Sequence, residues 1–272
     1  MPDSQLARAR SYLTELWRRR EFAWFLAMGN LRAANVRTAL GALWWVLNPL
    51  LLAGIYFLVF GVIFAGNRRG NPEYLAYLLS GMFPFHFTSR SLNGGAQSII
   101  GNAKLIANLK FPRLLLPISG LIEALVGFLV SILVFYLLIV PTAQVWPGMH
   151  TLWLLLIIPL NIVLALGLSG MAARLAVPFR DLLNLIPYFT RLWLYLSPII
   201  WLPEMIESAP DWVHTIIRLN PMYSLLALYR RALTGDPIQE IDVLFAIGWC
   251  LAIGAIGVYS FVRHEAHMAR YL

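Results

Sequence analysis

Residues 124–173 read ALVGFLVSILVFYLLIVPTAQVWPGMHTLWLLLIIPLNIVLALGLSGMAA, fifty positions without a charged side chain. A helix that crosses the roughly 30 Å hydrocarbon core needs about 20 apolar residues at 1.5 Å of rise each. Fifty is too many for one helix, and the polar, proline-containing stretch from Pro141 to His150 divides the run into spans near 114–140 and 151–174. Two such runs in succession decide the class. In lipid, backbone N–H and C=O groups find no water, so only helices and closed barrels cross. Barrel strands would give short alternating segments instead of unbroken apolar ones. The reading is an all-α polytopic membrane protein.

The rest of the chain agrees. Of its 272 residues, 60% are hydrophobic and 12% charged, against about 25% charged in soluble domains, and the mean hydropathy is +0.70. A water-soluble globule is excluded. Thr38 to Asn67 is uncharged and predicts a first span near 42–65. Tyr74 to Ser89 begins a second, near 74–97, with Arg90 snorkelling toward its end. Leu182 to Pro203 is apolar except for Arg191 and carries Pro187 and Pro198, which predicts a kinked fifth span, 182–203, facing protein or water. Val243 to Val262 makes the sixth, near 243–262. Residues 1–37 form a cytoplasmic amphipathic segment and 38–272 a single transmembrane domain.

Charge sets the orientation. With six spans both termini lie on one side, and that side carries 15 of the 21 basic residues against 5 opposite, Arg191 lying within a span. By the positive-inside rule the N- and C-termini are cytoplasmic. The N-terminus lacks the order of a signal peptide, so the first span is expected to stay in the mature chain. The lone cysteine, Cys250, falls inside the last apolar run and reads as a small core residue.

Three segments are neither plain span nor plain loop. Residues 4–20 place Leu6, Leu13, Leu16 and Trp17 on one helical face and Arg8, Arg18 and Arg19 on the others, an interfacial helix for the inner leaflet. It serves as an anchor, or in substrate admission or gating. Residues 98–113 read as a short amphipathic helix closed by Pro112, with Ile99, Ile106 and Leu109 apolar. Such a segment either docks into a groove of a soluble partner or merely turns the chain around. Between spans five and six, Pro203 to Asp242 is too long for a casual loop. Its two apolar pieces, broken at Asn220-Pro221, read as a re-entrant exterior hairpin, with two further short spans as the competing reading.

Some chemistry is missing. No phosphate-loop motif occurs and only Lys104 and Lys110 are available, so any ATP must be hydrolysed by another chain. His264-Glu-Ala-His267 is one residue short of a zinc-protease helix, and the other histidines are scattered. Catalytic serine motifs and paired acids are lacking as well. What remains is buried charge: Glu123 in span three and Arg191 in span five, each costing on the order of 3 kcal/mol at mid-bilayer unless paired or wet, with Arg90 as a further charge within reach. A pair between Glu123 and one of the two arginines would relieve this.

Five motifs together resemble the membrane subunit of an ABC-2 type exporter, in the branch that moves bacterial cell-surface polysaccharides such as O-antigen, capsule or teichoic acid. They are Leu40-Gly-Ala-Leu-Trp-Trp-Val-Leu-Asn-Pro49, Asn102-Ala-Lys-Leu-Ile-Ala-Asn-Leu-Lys-Phe-Pro-Arg113, Phe179-Arg-Asp181, Ser197-Pro-Ile199 and Leu219-Asn-Pro221, in the family's order. The resemblance implies a homodimer in the bacterial inner membrane with two copies of a nucleotide-binding ATPase, which holds the ATP and Mg; this chain binds no cofactor and no nucleic acid. It makes Asn102, Lys104, Leu105, Ile106, Leu109, Phe111, Pro112 and Arg113 a coupling helix seated in the ATPase, with Phe179, Arg180 and Asp181 at the same face. Spans one and five would line the path of a lipid-linked glycan, so Trp44, Tyr56, Tyr188, Trp193 and Tyr195 become candidates for stacking on sugar rings. The tendency of Trp and Tyr to gather at membrane interfaces competes with that role. Trp212, Asn220 and Pro221 fall in the exterior gate, and Glu123 becomes a structural or gating acid. A permease for a drug or small lipid, an intramembrane enzyme acting on polyprenyl-linked sugars and a passive channel are the other readings.

Overall fold

The computed structural model describes residues 11–35, 38–59, 72–206 and 209–268. Among them every regular element is a helix. Helix α1 occupies 11–18, and α2 (Arg20–Asn35) follows almost without a break. Then come α3 (Trp44–Tyr56), α4 (Pro72–Gly101), the short α5 (Ala103–Asn108), α6 (Leu115–Ala143) and α7 (Leu154–Ala176). The order ends with α8 (Leu182–Leu196), α9 (Asp211–Arg218), α10 (Pro221–Thr234) and α11 (Glu240–Met268). Three stretches, Leu115–Ala143, Met149–Ala176 and Glu240–Glu265, are long and apolar enough to cross a membrane. They match the third, fourth and sixth expected spans to within a few residues.

Helix α4 is the axis. It packs against α6 on one side and α7 on another, while α11 lies along α7 and α10 closes against α4 and α11. The α7–α11 seam is built from glycines. A Cβ on Gly167 would stand 2.7 Å from the Gly254 Cα, so the two backbones touch as small-residue helix pairs do in membranes. A chain of fully buried polar groups pins α4, α7 and α10 together: Thr88 donates to Asn161 Oδ1 at 2.8 Å, and the Asn161 amide donates to the Tyr229 hydroxyl at 3.3 Å. Such a network fixes register, because each unmade bond would leave a polar group stranded away from water.

Elsewhere the structure departs from the sequence reading. The fifth apolar run does not continue as one kinked helix to 203: α8 stops at Leu196, Ser197 is extended, and Pro198 forbids its re-entry into a helix. The segment 98–113 is divided too. Its first residues belong to α4, only Ala103–Asn108 form α5, and Leu109 is extended ahead of Pro112. In the hairpin region, Asn220 caps α10 by accepting the Met222 N–H at 3.0 Å with Pro221 at the first helical position, and Gly235 ends it with φ of 94°. The amphipathic segment gains a second half that its charge pattern concealed: α2 lies along α6, with Ala23 and Ala27 buried. Residues 4–10 of that segment and the end of the first expected span lie outside the described residues.

Candidate functional site

Two constellations stand out, one at each end of the bundle. At the first, α4 ends at Gly101 and the Asn102 amide donates back to the Ser98 carbonyl at 2.8 Å, turning the chain into α5. Leu105, Ile106 and Phe111 are half-buried in an apolar cluster with Ile99, Leu114, Val177 and Phe261. Pro112 is buried outright. Lys104, Leu109 and Lys110 are exposed. The anchoring half and the presenting half of the segment are therefore separate sets of residues.

Glu265, near the end of α11, holds this turn in place. Its Oε1 accepts the Arg113 backbone N–H at 2.7 Å, its Oε2 accepts the Tyr12 hydroxyl of α1 at 2.5 Å, and its carbonyl accepts the Arg113 guanidinium at 2.6 Å. Burial, reinforced by the Glu265 charge, pushes the Tyr12 hydroxyl well above its ordinary pKa, so it remains a donor throughout the neutral range. Arg19 adds a bond to the Lys110 carbonyl at 2.8 Å, and the rings of Phe22 and Phe111 meet at 5.0 Å. Both extremes of the described chain thus clasp one turn. Between them opens a cleft of about 580 Å³ lined by Tyr12, Asn108, Lys110 and Glu265. Sequence reasoning missed the roles of Tyr12 and Glu265, because Tyr12 belongs to no motif, Glu265 reads only as part of a near-miss metal motif, and the two are 253 positions apart.

Phe179, Arg180 and Asp181 form an exposed turn between α7 and α8. Val177, two residues earlier, sits in the same apolar cluster as Leu105, Ile106 and Phe111. The fold therefore brings this turn and the α5 segment to the same end. Close by, Arg174 bonds Ser260 and lies 3.2 Å from His264 Nε2. Among the described residues no group of His, Cys, Asp and Glu could hold a metal.

At the other end, the non-helical stretch 197–201 is gripped from two helices, α4 and α10. Tyr74 donates to the Ile200 carbonyl at 2.5 Å, and Tyr77 lies within bonding distance of the Pro198 and Trp201 carbonyls. Arg230, buried on α10, bonds the Pro198 carbonyl and lies 3.6 Å over the Tyr77 ring. Asn220 ties α8 to the hairpin: it accepts from Trp193 Nε1 at 2.8 Å and donates to Ser197 Oγ at 2.9 Å. The motifs Ser197-Pro-Ile199 and Leu219-Asn-Pro221 are thus one joint. Trp212 is exposed on α9.

The aromatic candidates separate. Tyr188 and Tyr195 are exposed, on one face of α8 with Leu185, Phe189, Leu192 and Leu196, while Tyr56 and Trp44 are half-buried on α3. Trp193 is corrected. At 8% exposure it points inward, its ring 5.5 Å from Phe85 and its N–H donated to Asn220, so it fastens α8 to its neighbours and is not presented on the exposed face of that helix. Glu123 is corrected as well: its partner is the Asn30 amide of α2 at 2.7 Å. Among the described residues no ion pair joins it to Arg90 or Arg191, both of which are exposed.

Among the described residues the fold is an all-helical bundle in which three helices are long and apolar enough to cross a membrane and no group of side chains could hold a metal. The family of ABC-2 type transporters matches over residues 23–233, and the chain belongs to it. It is 26% identical over 241 residues to the O-antigen export system permease protein RfbA of Klebsiella pneumoniae, covering 87% of this chain and 90% of that one. It is 28% identical over 235 residues to the protein of the same name from Myxococcus xanthus, covering 86% and 88%. It is a transport subunit, not an enzyme.

Proposed function

We propose that this chain is the permease of an ATP-driven exporter that moves a lipid-linked cell-surface polysaccharide across the bacterial cytoplasmic membrane. Two copies pair, and each engages one copy of a separate ATPase that binds ATP and Mg. Six elements cross: the apolar run beginning with α3, then α4, α6, α7, α8 with the turn that follows, and α11. Both termini are cytoplasmic, a reading supported by the distribution of arginines. The α9–α10 pair is a re-entrant hairpin at the exterior, where Trp212, Asn220 and Pro221 belong to the gate. α3 and α8 line the path, presenting Tyr56, Tyr188 and Tyr195.

One observation carries the reading. The exposed Lys104 and Leu109 of the α5 segment share an end of the bundle with the exposed Phe179–Asp181 turn, and both stand on a firmly clasped base. A partner that pushes on such a surface moves α4, α6 and α11 together. Membership of the ABC-2 family and the printed names of the relatives support the export of an O-antigen-type glycan.

Affinity purification of the tagged chain from its native membrane tests this. A stoichiometric ATPase is expected to co-elute, with hydrolysis that falls when Lys104→Glu and Leu109→Ala are introduced together. Gentle extraction that yields no ATPase, or hydrolysis by this chain alone, would overturn the proposal.

A further inference from the structure

A cavity of about 300 Å³ lies between α3, α4 and α6, away from both ends of the bundle. Most of its wall is apolar. Into it project Asn48 of α3, His86 and Arg90 one turn apart on α4, and Ser131 of α6. Arg90 stands 11 positions before the end of α4 at Gly101, about 16 Å of rise along the helix. It therefore lies in the cytoplasmic half of the membrane, short of the helix end, if α4 crosses as proposed above, the reading on which this inference rests.

The basic groups of the cavity are unanswered. His86 Nε2 is buried without a hydrogen-bond partner, and Arg90 forms no ion pair among the described residues. The Ser131 hydroxyl is spent on the Gly127 carbonyl at 2.8 Å. The acid one turn along α6 from Gly127 is Glu123, which is held by Asn30. Gly127 faces the guanidinium: a Cβ there would meet Arg90 Nη1 at 3.5 Å, in van der Waals contact, so a larger side chain would occupy the space beside it. An arginine kept at depth without a protein counter-ion marks a functional site, since lipid does not tolerate it unpaired. On the α3 side, Leu51 and Ile55 both line the cavity and are exposed, so it opens sideways toward the bilayer.

We propose that this cavity binds the phosphate group of a membrane lipid. A guanidinium fork takes two phosphate oxygens at once, and the His86 ring and Asn48 amide supply further donors. The lipid chain lies along Leu51, Leu52 and Ile55. The same chemistry serves a bulk phospholipid and a polyprenyl phosphate carrier.

Native mass spectrometry of the purified permease–ATPase complex, incubated separately with phosphatidylglycerol and with undecaprenyl phosphate, distinguishes the two. Retained lipid is expected to fall at least tenfold in Arg90→Gln and in Gly127→Leu, which fills the floor and keeps the charge, and less in Arg90→Lys. Loss confined to undecaprenyl phosphate assigns the cavity to the carrier. Loss of phosphatidylglycerol, alone or with it, assigns a structural phospholipid. Equal retention by wild type and Arg90→Gln in a monodisperse preparation overturns the site. Failure of the ATPase to co-elute overturns the exporter reading instead, and the lipid measurement on the permease alone still stands.

Discussion

Replacing Glu265 with alanine removes two hydrogen bonds to a carboxylate, those from the Arg113 N–H at 2.7 Å and the Tyr12 hydroxyl at 2.5 Å. Bonds to a charged acceptor contribute about 1.5–3 kcal/mol each. The site borders an open cleft, where water compensates part of the loss, so the lower figure applies to each and the sum is about 3 kcal/mol. At about 1.4 kcal/mol per decade, local opening of the α5 segment then becomes roughly 100-fold more frequent. The carbonyl of residue 265 still accepts the Arg113 guanidinium, so the bundle itself stays folded. Amide hydrogen exchange read by mass spectrometry over residues 11–18 and 102–113 measures the change directly. In Glu265→Gln, which keeps one acceptor, the increase is expected near tenfold. Exchange in these two segments changing by less than about threefold in the alanine variant, or rising equally throughout α6 and α7, would refute the reasoning.

Other expectations follow from the same geometry. Burial and the Glu265 charge hold the Tyr12 hydroxyl above its ordinary pKa; the protonated form is thus favoured in the folded state, and its contribution is complete below pH 10 and lost as pH rises beyond. Exchange in residues 11–18 should stay flat from pH 6 to 9, after correction for the intrinsic rate, climb above about 10, and lose that climb in Tyr12→Phe. Gly167→Val drives a side chain into the α11 backbone and should lower the melting temperature in detergent, by an overpacking cost of about 1–3 kcal/mol or more; an unchanged melting curve would mean the seam is looser than described. Asn220→Ala removes a helix cap worth about 1 kcal/mol and frees the Trp193 indole. A red shift and new quenchability of that tryptophan's fluorescence should report it, with the other tryptophans replaced.

Much of the architecture was legible because lipid imposes a coarse rule. Uncharged runs located α6, α7 and α11, and Asn220-Pro221 located the break between α9 and α10. The boundaries were not legible where a tertiary contact decides them, as at Leu196, where Pro198 and the Tyr77 and Arg230 bonds hold the following backbone extended. The partner of Glu123 could not be read either. Charge complementarity favours an arginine, yet α2 lies alongside α6 and offers an amide first, and nothing in the pattern of residues 20–35 announced that packing. For the α5 segment, motif and periodicity located the turn but said nothing of its far-separated supports, because a clasp made by Tyr12 and Glu265 leaves no local trace in sequence.

That clasp has a consequence for how the protein is made. During synthesis, residues 102–113 leave the ribosome about 150 residues before Glu265, the separation across the Arg113 contact being 152. Until α11 is translated and inserted, the turn lacks the carboxylate that fixes Arg113 and draws α1 against it. A nascent or prematurely terminated chain therefore holds residues 102–113 loosely, and their firm seating waits on the arrival of α11.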